Sequence, residues 1–207
     1  VLEVVRDFEH PCPVVYTSSS MVYGDFLTPT VTEEAPKDPK EIYGSIKLAG
    51  EIISSGYRKR YDIDVRTVRP TAVYGPFDAN QRVLYKFITR ALNGQPLRVD
   101  GDGSMALDFT YVDDTANGIF RVATNDTAAG ETFNIARGKS ETLSKAISII
   151  SETIGDVEVH YGEIPGHVPK RGTLDVSKAR ELIGFAPKFD LERALPRYIE
   201  HLKENPI

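Results

Sequence analysis

A tyrosine and a lysine stand four positions apart in the stretch EIYGSIKLAGE, as Tyr43 and Lys47. Positions i and i+4 lie on one face of a helix, so the phenol and the ammonium project together. An ammonium close to a phenol stabilises the phenolate. A phenol shifted toward ionisation at neutral pH can act as a general base or acid on an alcohol. The spacing by itself is also typical of a solvated helix face, so the chemical interpretation needs support from other residues.

That support comes from Ser19, which lies 24 residues before Tyr43 in TSSSMVYG. The serine run directly follows PVVY, an apolar stretch that predicts a buried parallel strand. Ligands of parallel α/β sheets bind at the carboxyl ends of the strands. The alternative is a polar strand-end loop that caps local backbone groups. We predict that Ser19, Tyr43 and Lys47 form one site.

The elements that must position these residues alternate between strands and helices. The predicted strands cover residues 14–16, 63–70, 97–99, 107–112, 132–136 and 157–161. The predicted helices cover 41–60, 84–92, a segment starting at Asp113 or Asp114 as N-cap, 140–155 with Ser140 as cap and Gly155 as stop, 177–184 and 191–203. The helix over 41–60 has an apolar stripe that includes Ile42, Ile46 and Ile53. This order indicates an α/β protein with a parallel sheet.

Composition excludes several classes of function. The 207 residues carry a formal net charge of −5 with scattered Lys and Arg, which disfavours nucleic acid as a partner. The single cysteine, Cys12, cannot form an internal disulfide, which fits a reducing, cytoplasmic location, and we interpret it as a small apolar filler. No run of 18 apolar residues predicts a membrane helix. The four histidines share no metal-ligand spacing, so no metal is expected.

Five ordered motifs resemble the extended short-chain dehydrogenase/reductases, and more narrowly their NAD-dependent epimerase/dehydratase branch, which acts on nucleotide sugars. The motifs are TSSSMVYG, IYGSIK, VRPTAVYGP, LDFTYVDD and LDVSKARELIGFAPKFDLE. The resemblance implies a Rossmann-like doubly wound parallel sheet with a smaller α/β substrate-binding lobe. It assigns residues 1–74 and 107–137 to a partial dinucleotide-binding domain, and residues 75–106 and 138–207 to the substrate-binding domain.

The resemblance also implies a role for each site residue. Tyr43 would remove or return a proton at a sugar hydroxyl, Lys47 would favour its phenolate and hold the nicotinamide ribose, and Ser19 would hydrogen-bond the reacting oxygen. The implied cofactor contacts are Tyr43, Lys47, Ser18, Pro70, Thr71 and Ala72. The implied substrate contacts are Ser19, Ser20, Met21, Ala72, Val83, Arg98, Lys170 and Arg171. A homodimer through the tyrosine-bearing helix is a further expectation.

One part of the family pattern has no counterpart in this sequence. The family opens with a strand, a Gly-x-x-Gly-x-x-Gly turn and a helix whose N-terminus takes the pyrophosphate. The first residues, VLEVVRDFEH, instead have the apolar spacing of the second half of a helix. We therefore expect the chain to correspond to the C-terminal two thirds of such an enzyme. NAD is the predicted cofactor, and NADP is left open because the residue that distinguishes them lies in the missing part.

Departures from the family pattern bear on the substrate. Ser20 and Met21 replace the Asp-Glu pair of the dehydratases, which disfavours 4,6-dehydration. Leu107 stands where the family commonly has an arginine that contacts the diphosphate. Lys170 and Arg171 can supply that charge instead, although a solvated loop explains them equally well. His167 is expected in a surface loop.

The predicted function is an NAD-dependent nucleotide-sugar epimerase that acts by hydride transfer through a keto-sugar intermediate. One alternative is an NAD(P)-dependent sugar or other alcohol reductase or dehydrogenase with net turnover of the cofactor. A second alternative, from another class, is a non-catalytic fragment that does not bind the cofactor.

Overall fold

The computed structural model describes residues 1–9, 12–166 and 168–205, so the prediction for His167 falls outside the described residues. The helices are α1 Leu2–Arg6, α2 Ile42–Tyr61, α3 Val83–Leu92, α4 Val112–Thr124, α5 Leu143–Ile154, α6 Ser177–Ile183 and α7 Leu191–Glu204. The strands are β1 Val14–Thr17, β2 Thr30–Val31, β3 Val65–Pro70, β4 Val73–Tyr74, β5 Leu97–Asp100, β6 Ala106–Leu107, β7 Thr110–Tyr111, β8 Thr132–Ile135, β9 Glu141–Thr142, β10 Val159–Gly162 and β11 Thr173–Leu174. Short 3₁₀ turns cover Ser20–Tyr23 and Asp126–Ala128.

The main sheet is parallel and has the strand order β1-β3-β8. Successive side chains of a strand point to opposite faces of the sheet. On one face, Arg69 of β3 bonds to Glu51 of α2. On the other face, Arg66 donates to the carbonyl of Val122 in the last turn of α4 at 2.7 Å. Helices therefore cover both faces, which is the predicted doubly wound arrangement.

The buried apolar residues form two clusters. The first joins β3 and β8 to α4, α6 and the Ser20–Tyr23 turn, with Val68 and Phe133 fully buried. The second joins α3, α5 and α7 to β5, with Tyr198 fully buried. Helix α6 belongs to the first cluster, although the division at residue 138 assigns it to the second lobe. The domain division stays a prediction.

Helix α2 packs through its small residues, while its apolar stripe faces outward. Ile42, Ile46 and Ile53 are 81%, 63% and 56% exposed. A Cβ at Gly44 would lie 2.6 Å from the carbonyl oxygen of Met21, so the glycine lets the helix backbone approach the Ser20–Tyr23 turn. An amphipathic pattern shows which side of a helix is apolar, but here the contact side is defined by close backbone approach.

Two predicted helix caps are wrong. Helix α4 begins after Tyr111 without a side-chain cap, and the Asp114 carboxylate instead accepts from the backbone N–H of Lys188 at 2.9 Å. The carboxylate thereby fixes the segment between α6 and α7. Helix α5 is capped by Thr142, which accepts from the backbone of Lys145 at 3.1 Å, and not by Ser140.

Cys12, predicted to be an apolar filler, is exposed. Among the described residues, none of the helices has the length and apolar character that a membrane crossing requires.

Candidate active site

The serine run lies at the carboxyl end of β1, where the sequence predicted it. Ser18 and Ser19 are 1% and 8% exposed. The Ser19 oxygen accepts a hydrogen bond from the backbone N–H of Met21 at 3.2 Å and so caps the following 3₁₀ turn. Capping uses the oxygen as an acceptor, and the Ser19 proton is still available to donate. The local and the functional interpretations of Ser19 are therefore compatible.

Tyr43 and Lys47 lie in the first two turns of α2, beside the same strand end. The Lys47 ammonium donates to the carbonyl of Thr17, the last residue of β1, at 2.9 Å. It lies 5.6 Å from the centroid of the Tyr43 ring and 5.7 Å from that of Tyr16. The Tyr43 ring is 51% exposed, so its hydroxyl is open to a ligand. The structure thus brings the predicted trio to one strand end.

Ser18, Glu51, Arg69 and Tyr23 form a hydrogen-bonded network next to this trio. Ser18 donates to Glu51 Oε1 at 2.5 Å. The Arg69 guanidinium binds both carboxylate oxygens of Glu51, at 2.9 and 2.6 Å, and donates to the Tyr23 hydroxyl at 2.9 Å. Burial raises the pKa of Tyr23 to about 12, so this phenol stays protonated and donates to Asn134. The Ser18 side chain is committed to Glu51 and points into the protein.

Glu51 is not among the site residues predicted from the sequence, although Glu51 is the last residue of the stretch that contains Tyr43 and Lys47. Its position, four residues beyond Lys47, repeats the spacing from Tyr43 to Lys47. That i, i+4 relation was the available signal, because it places all three polar side chains on one face of the helix.

A cavity of about 280 Å³ is lined by Met21, whose backbone N–H binds Ser19, whereas Ser19, Tyr43 and Lys47 themselves are not part of its lining. It brings together five of the predicted contact residues, namely Met21, Thr71, Ala72, Val83 and Arg171. Apolar side chains, including Leu107 and Phe109, form much of the remaining lining. A mostly apolar cavity with a few convergent polar groups is typical of a small-molecule site.

Besides the three serines, Tyr43 and Lys47, three further predicted contact residues lie outside this cavity lining. Arg98 is on the exposed side of β5, and Lys170 is exposed with its backbone N–H donating to Asp25 at 2.7 Å. Pro70 ends β3, partly buried, one residue before the lining begins. These roles stay predictions.

Ala72 has a φ of 38°, in the left-handed region that side-chain-bearing residues seldom adopt. The chain turns there between β3 and β4, and the Ala72 carbonyl accepts from the backbone of Thr110 at 3.2 Å. Asparagine tolerates this conformation better than alanine does. The turn brings backbone to the wall of the cavity.

Arg171 enters the site from the segment before β11. Its Nη2 donates to the hydroxyls of Ser20 and, at 3.1 Å, Thr71. Its guanidinium lies 4.7 Å from the centroid of the Phe26 ring. Burial lowers the pKa of Arg171 to about 10, and the negative charges of Asp108 and Glu41 oppose that shift. The group is still protonated at neutral pH.

These residues fit the nicotinamide-ribose end of a dinucleotide. Tyr43 and Lys47 offer an open phenol and an ammonium at the end of β1, and the Thr71–Ala72 turn follows the end of the neighbouring strand β3. In residues 1–9, 12–166 and 168–205, none of the α-helices has glycine as its N-cap. The described part of the chain also has no cluster of three potential metal ligands.

The fold defines a protein of the extended short-chain dehydrogenase/reductase type. The chain belongs to the NAD dependent epimerase/dehydratase family, whose sequence model matches residues 1–136.

Individual relatives are similar over nearly the whole chain. A UDP-glucuronate 4-epimerase of Thermodesulfobacterium geofontis is 30% identical over 213 residues, which cover 99% of this chain and 63% of the relative. A dTDP-glucose 4,6-dehydratase of Streptomyces antibioticus is 27% identical over 93% of this chain and 58% of its own length. The chain therefore spans about three fifths of the curated relatives that it matches.

Solved structures give the same result for the fold. The crystal structure of UDP-glucuronic acid 4-epimerase from Bacillus cereus, in complex with UDP-glucuronic acid and NAD, superimposes with a TM-score of 0.93 at 27% identity. The match covers 98% of this chain and 65% of that chain. This likeness confirms the predicted Rossmann-like fold.

Proposed function

We propose that the protein containing this chain is an NAD-dependent nucleotide-sugar epimerase that works through a keto-sugar intermediate. The observation that carries the proposal is the meeting of Ser19, Tyr43 and Lys47 at the carboxyl end of β1. Met21, whose backbone binds Ser19, lines a mostly apolar cavity. The similarity to epimerases that bind UDP-sugars and NAD supports it.

In this proposal the protein groups move and hold a proton. Ser19 donates its hydroxyl proton to the oxygen of the reacting sugar carbon and fixes that oxygen next to the Tyr43 phenol. Tyr43 in its phenolate form takes the proton from the sugar hydroxyl, and the Lys47 ammonium stabilises that phenolate before the transfer. NAD, when bound, supplies the reversible oxidation of the sugar carbon. Return of the proton from Tyr43 to the carbonyl oxygen completes the cycle.

Epimerisation is favoured over dehydration by the residues after Ser19. Loss of water needs an acid and a base beside the substrate. Ser20 and Met21 have neither a carboxyl nor another group that titrates near neutral pH, and the Ser20 hydroxyl is bound to Arg171. A reductase shares the same trio, so it remains the second candidate.

We also propose a homodimer and a cytoplasmic location. The outward apolar stripe of α2, with Ile42 and Ile46 among its exposed members, supports a subunit contact. A single cysteine in the chain suits a compartment in which disulfides do not form.

The test is Tyr43→Phe in the complete gene product that contains this chain. The substitution removes the proton-carrying oxygen and keeps the ring, so we expect kcat for a nucleotide sugar to fall about 10²–10⁴-fold while the affinity for NAD stays unchanged. Tyr161→Phe is the matched control, since Tyr161 is similarly exposed, at 57%, on β10.

The outcomes separate the three candidates. Near-normal turnover by the Tyr43→Phe protein would remove Tyr43 from the chemistry. Accumulation of reduced cofactor with the wild-type protein would identify a reductase or dehydrogenase, because an epimerase regenerates NAD in each cycle. If calorimetry detects no NAD binding to the wild-type gene product, the result supports the alternative of a non-catalytic protein.

A further inference from the structure

A second concave surface, a groove of about 560 Å³, lies beside α2. Its helix side includes Leu48, Ile52, Ser55 and Lys59, which are spaced three or four positions apart and so share one face of the helix. None of the candidate catalytic trio lines this groove. Cavities of about 300–1,000 Å³ are typical of small-molecule sites, so the groove is large enough to hold a ligand of its own.

Two threonines form the floor of the groove. Thr67 of β3 and Thr132 of β8 are partners in the parallel pairing, so their side chains lie next to each other on one face of the sheet. Helix α2 covers the same face, because Arg69, two positions after Thr67, binds Glu51 of that helix. Within residues 1–9, 12–166 and 168–205, neither threonine hydroxyl has a hydrogen-bond partner, although Thr67 is only 7% exposed. Both hydroxyls can therefore bind polar groups of a ligand.

Three cations border the groove, namely Lys37, Arg58 and Lys59. Lys37 donates to the backbone carbonyl of Glu33 at 2.8 Å, and Arg58 donates to that of Gly130 at 2.7 Å. In the part of the chain that the structure describes, none of the three cations forms an ion pair. A lysine has three N–H donors and an arginine has five, so donors remain available to an anion in the groove.

The lining has little negative charge to oppose these cations. Among the described lining residues Glu51 is the one acidic side chain, and it is already bound to Arg69 at 2.6 Å. Burial lowers the pKa of Lys37, and the positive charge of Arg69 adds to that shift. The carboxylates of Glu51, Glu34 and Glu33 oppose the shift without reversing it. An anion in the groove would stabilise the charged form of Lys37.

The cations lie at two ends of the groove. Lys37 and Arg69 donate to the same carbonyl, and Arg69 binds Glu51, so Lys37 lies at the level of Glu51. Arg58 and Lys59 come seven and eight positions after Glu51 on α2, which corresponds to about 10–12 Å of helix. A ligand that binds all three cations therefore carries negative charge at both of its ends.

We propose that the groove binds a sugar bisphosphate, with one phosphate at Lys37 and the other at Arg58 and Lys59. A phosphate group carries roughly −1.5 to −2 charge at pH 7 and has three acceptor oxygens, which suits cations that have no acidic partner. The sugar hydroxyls lie between the phosphates and meet the hydroxyls of Thr67 and Thr132. The site does not include the candidate trio, so it is independent of the proposed function.

Calorimetric titration of the complete gene product tests the site with three probes, fructose 1,6-bisphosphate, fructose 6-phosphate and fructose. We expect the bisphosphate to bind at least about tenfold more tightly than the monophosphate, because the second phosphate adds charge-assisted hydrogen bonds at the other end. Fructose should not bind. Equal affinity for the two phosphates, or no binding of the bisphosphate, would overturn the proposal.

Two charge-removing variants locate the ligand. Lys37→Gln and Lys59→Gln keep a long polar side chain and each removes the charge at one end, so we expect each to lower the affinity for the bisphosphate about tenfold. Arg60→Gln is the matched control, because Arg60 is exposed on the same helix and does not line the groove. It should change the affinity less than about threefold. Equal effects of Arg60→Gln and Lys59→Gln would indicate general attraction of an anion to a basic helix end and would contradict a defined site.

A further control concerns the cavity that Arg171 lines. Arg171→Met should bind the bisphosphate like the wild-type protein. A bisphosphate bound in that cavity would instead lose affinity in Arg171→Met and keep it in Lys37→Gln, and this result would overturn the proposal. Circular dichroism checks that each variant is folded.

Discussion

At the residue scale, Glu51 joins three segments of the candidate site. It accepts from Ser18 after β1, lies on α2 and binds Arg69 of β3 through both carboxylate oxygens. Glu51→Gln leaves the buried Arg69 cation without a charged partner. Breaking one partner of a buried pair typically costs about 3–5 kcal/mol, so we expect a loss of that order in the free energy of unfolding, measured by urea denaturation at pH 7.

The control for this prediction is an exposed ion pair of similar length. Glu192 binds Lys145 at 3.0 Å with both side chains largely solvated. Solvent screens such pairs, and Glu192→Gln should change the free energy of unfolding by no more than about 1 kcal/mol. Equal effects of the two substitutions would contradict a structural role for the buried pair.

Residue types and local spacing were sufficient to predict that Ser19, Tyr43 and Lys47 meet, because the pattern that unites them is short or lies at a strand end. They were insufficient for Glu51, and they left Arg171 open between a substrate contact and a solvated loop. Arg69, the partner of Glu51, lies 18 positions further along the sequence, and Arg171 lies 151 positions from Ser20, which it contacts. Without the fold, Glu51 resembles an ordinary surface charge.

At the element scale, the close approach of α2 to the Ser20–Tyr23 turn depends on Gly44. A Cβ there would lie 2.6 Å from a backbone oxygen of Met21 and 2.9 Å from Pro39 Cβ, and backbone cannot move aside cheaply. Gly44→Ala should therefore displace the turn that carries the site serines. We expect a loss of about 1–3 kcal/mol in the free energy of unfolding, the usual range for overpacking.

The same helix provides the matched control. A Cβ at Gly56 meets nothing within 4 Å, and alanine favours the helix over glycine by about 0.5–1 kcal/mol. Gly56→Ala should therefore raise the stability while Gly44→Ala lowers it, both measured by urea denaturation. A stabilising Gly44→Ala would show that the turn accommodates the methyl group and that the approach is not tight.

Element prediction succeeded where a periodic pattern runs for several residues. Helix α2 and strand β3 lie within two residues of their predicted ends. Four two-residue strands, β2, β4, β9 and β11, escaped prediction because they contain no period, whereas β7 lies inside the strand predicted over 107–112. Strand β2 exists only because Thr30–Val31 pairs in parallel with Thr173–Leu174, a contact that the folded chain creates.

At the scale of the whole molecule, Asp108 links segments that are far apart in sequence. The residue is 1% exposed between β6 and β7. Its carboxylate accepts from the backbone of Gly138, after β8, at 3.1 Å and of Leu174, in β11, at 3.0 Å. Helix α6 follows β11 directly and packs on the first core. The order of the sequence motifs predicted the sheet. The hydrogen bonds of Asp108 could not be predicted in this way, because they depend on where the last third of the chain packs in the folded protein.

Burial raises the pKa of Asp108 to about 6, although the backbone hydrogen bonds oppose that shift. An unfolded aspartate has a pKa of about 3.9, so the folded protein binds the proton more tightly. The stability that this group contributes is fully present below pH ~3.9 and is lost as the pH rises through about 6. Relative to Asp108→Asn, which cannot ionise, the wild-type protein should lose about 2–3 kcal/mol between pH 4 and 7.5.

Urea denaturation of both proteins at several pH values measures this difference in the free energy of unfolding. Asp102→Asn is a control for which the opposite pH dependence is expected. Hydrogen bonds from Ser104 lower the pKa of the exposed Asp102, so its contribution is present at neutral pH and is lost as the pH falls. Comparison of the wild-type protein with Asp102→Asn should therefore give a slope opposite to that for Asp108. A wild-type protein that gains stability over Asp108→Asn as the pH rises would mean that the buried carboxylate is stabilised in its charged form. The backbone donors around it would then outweigh the cost of burying the charge.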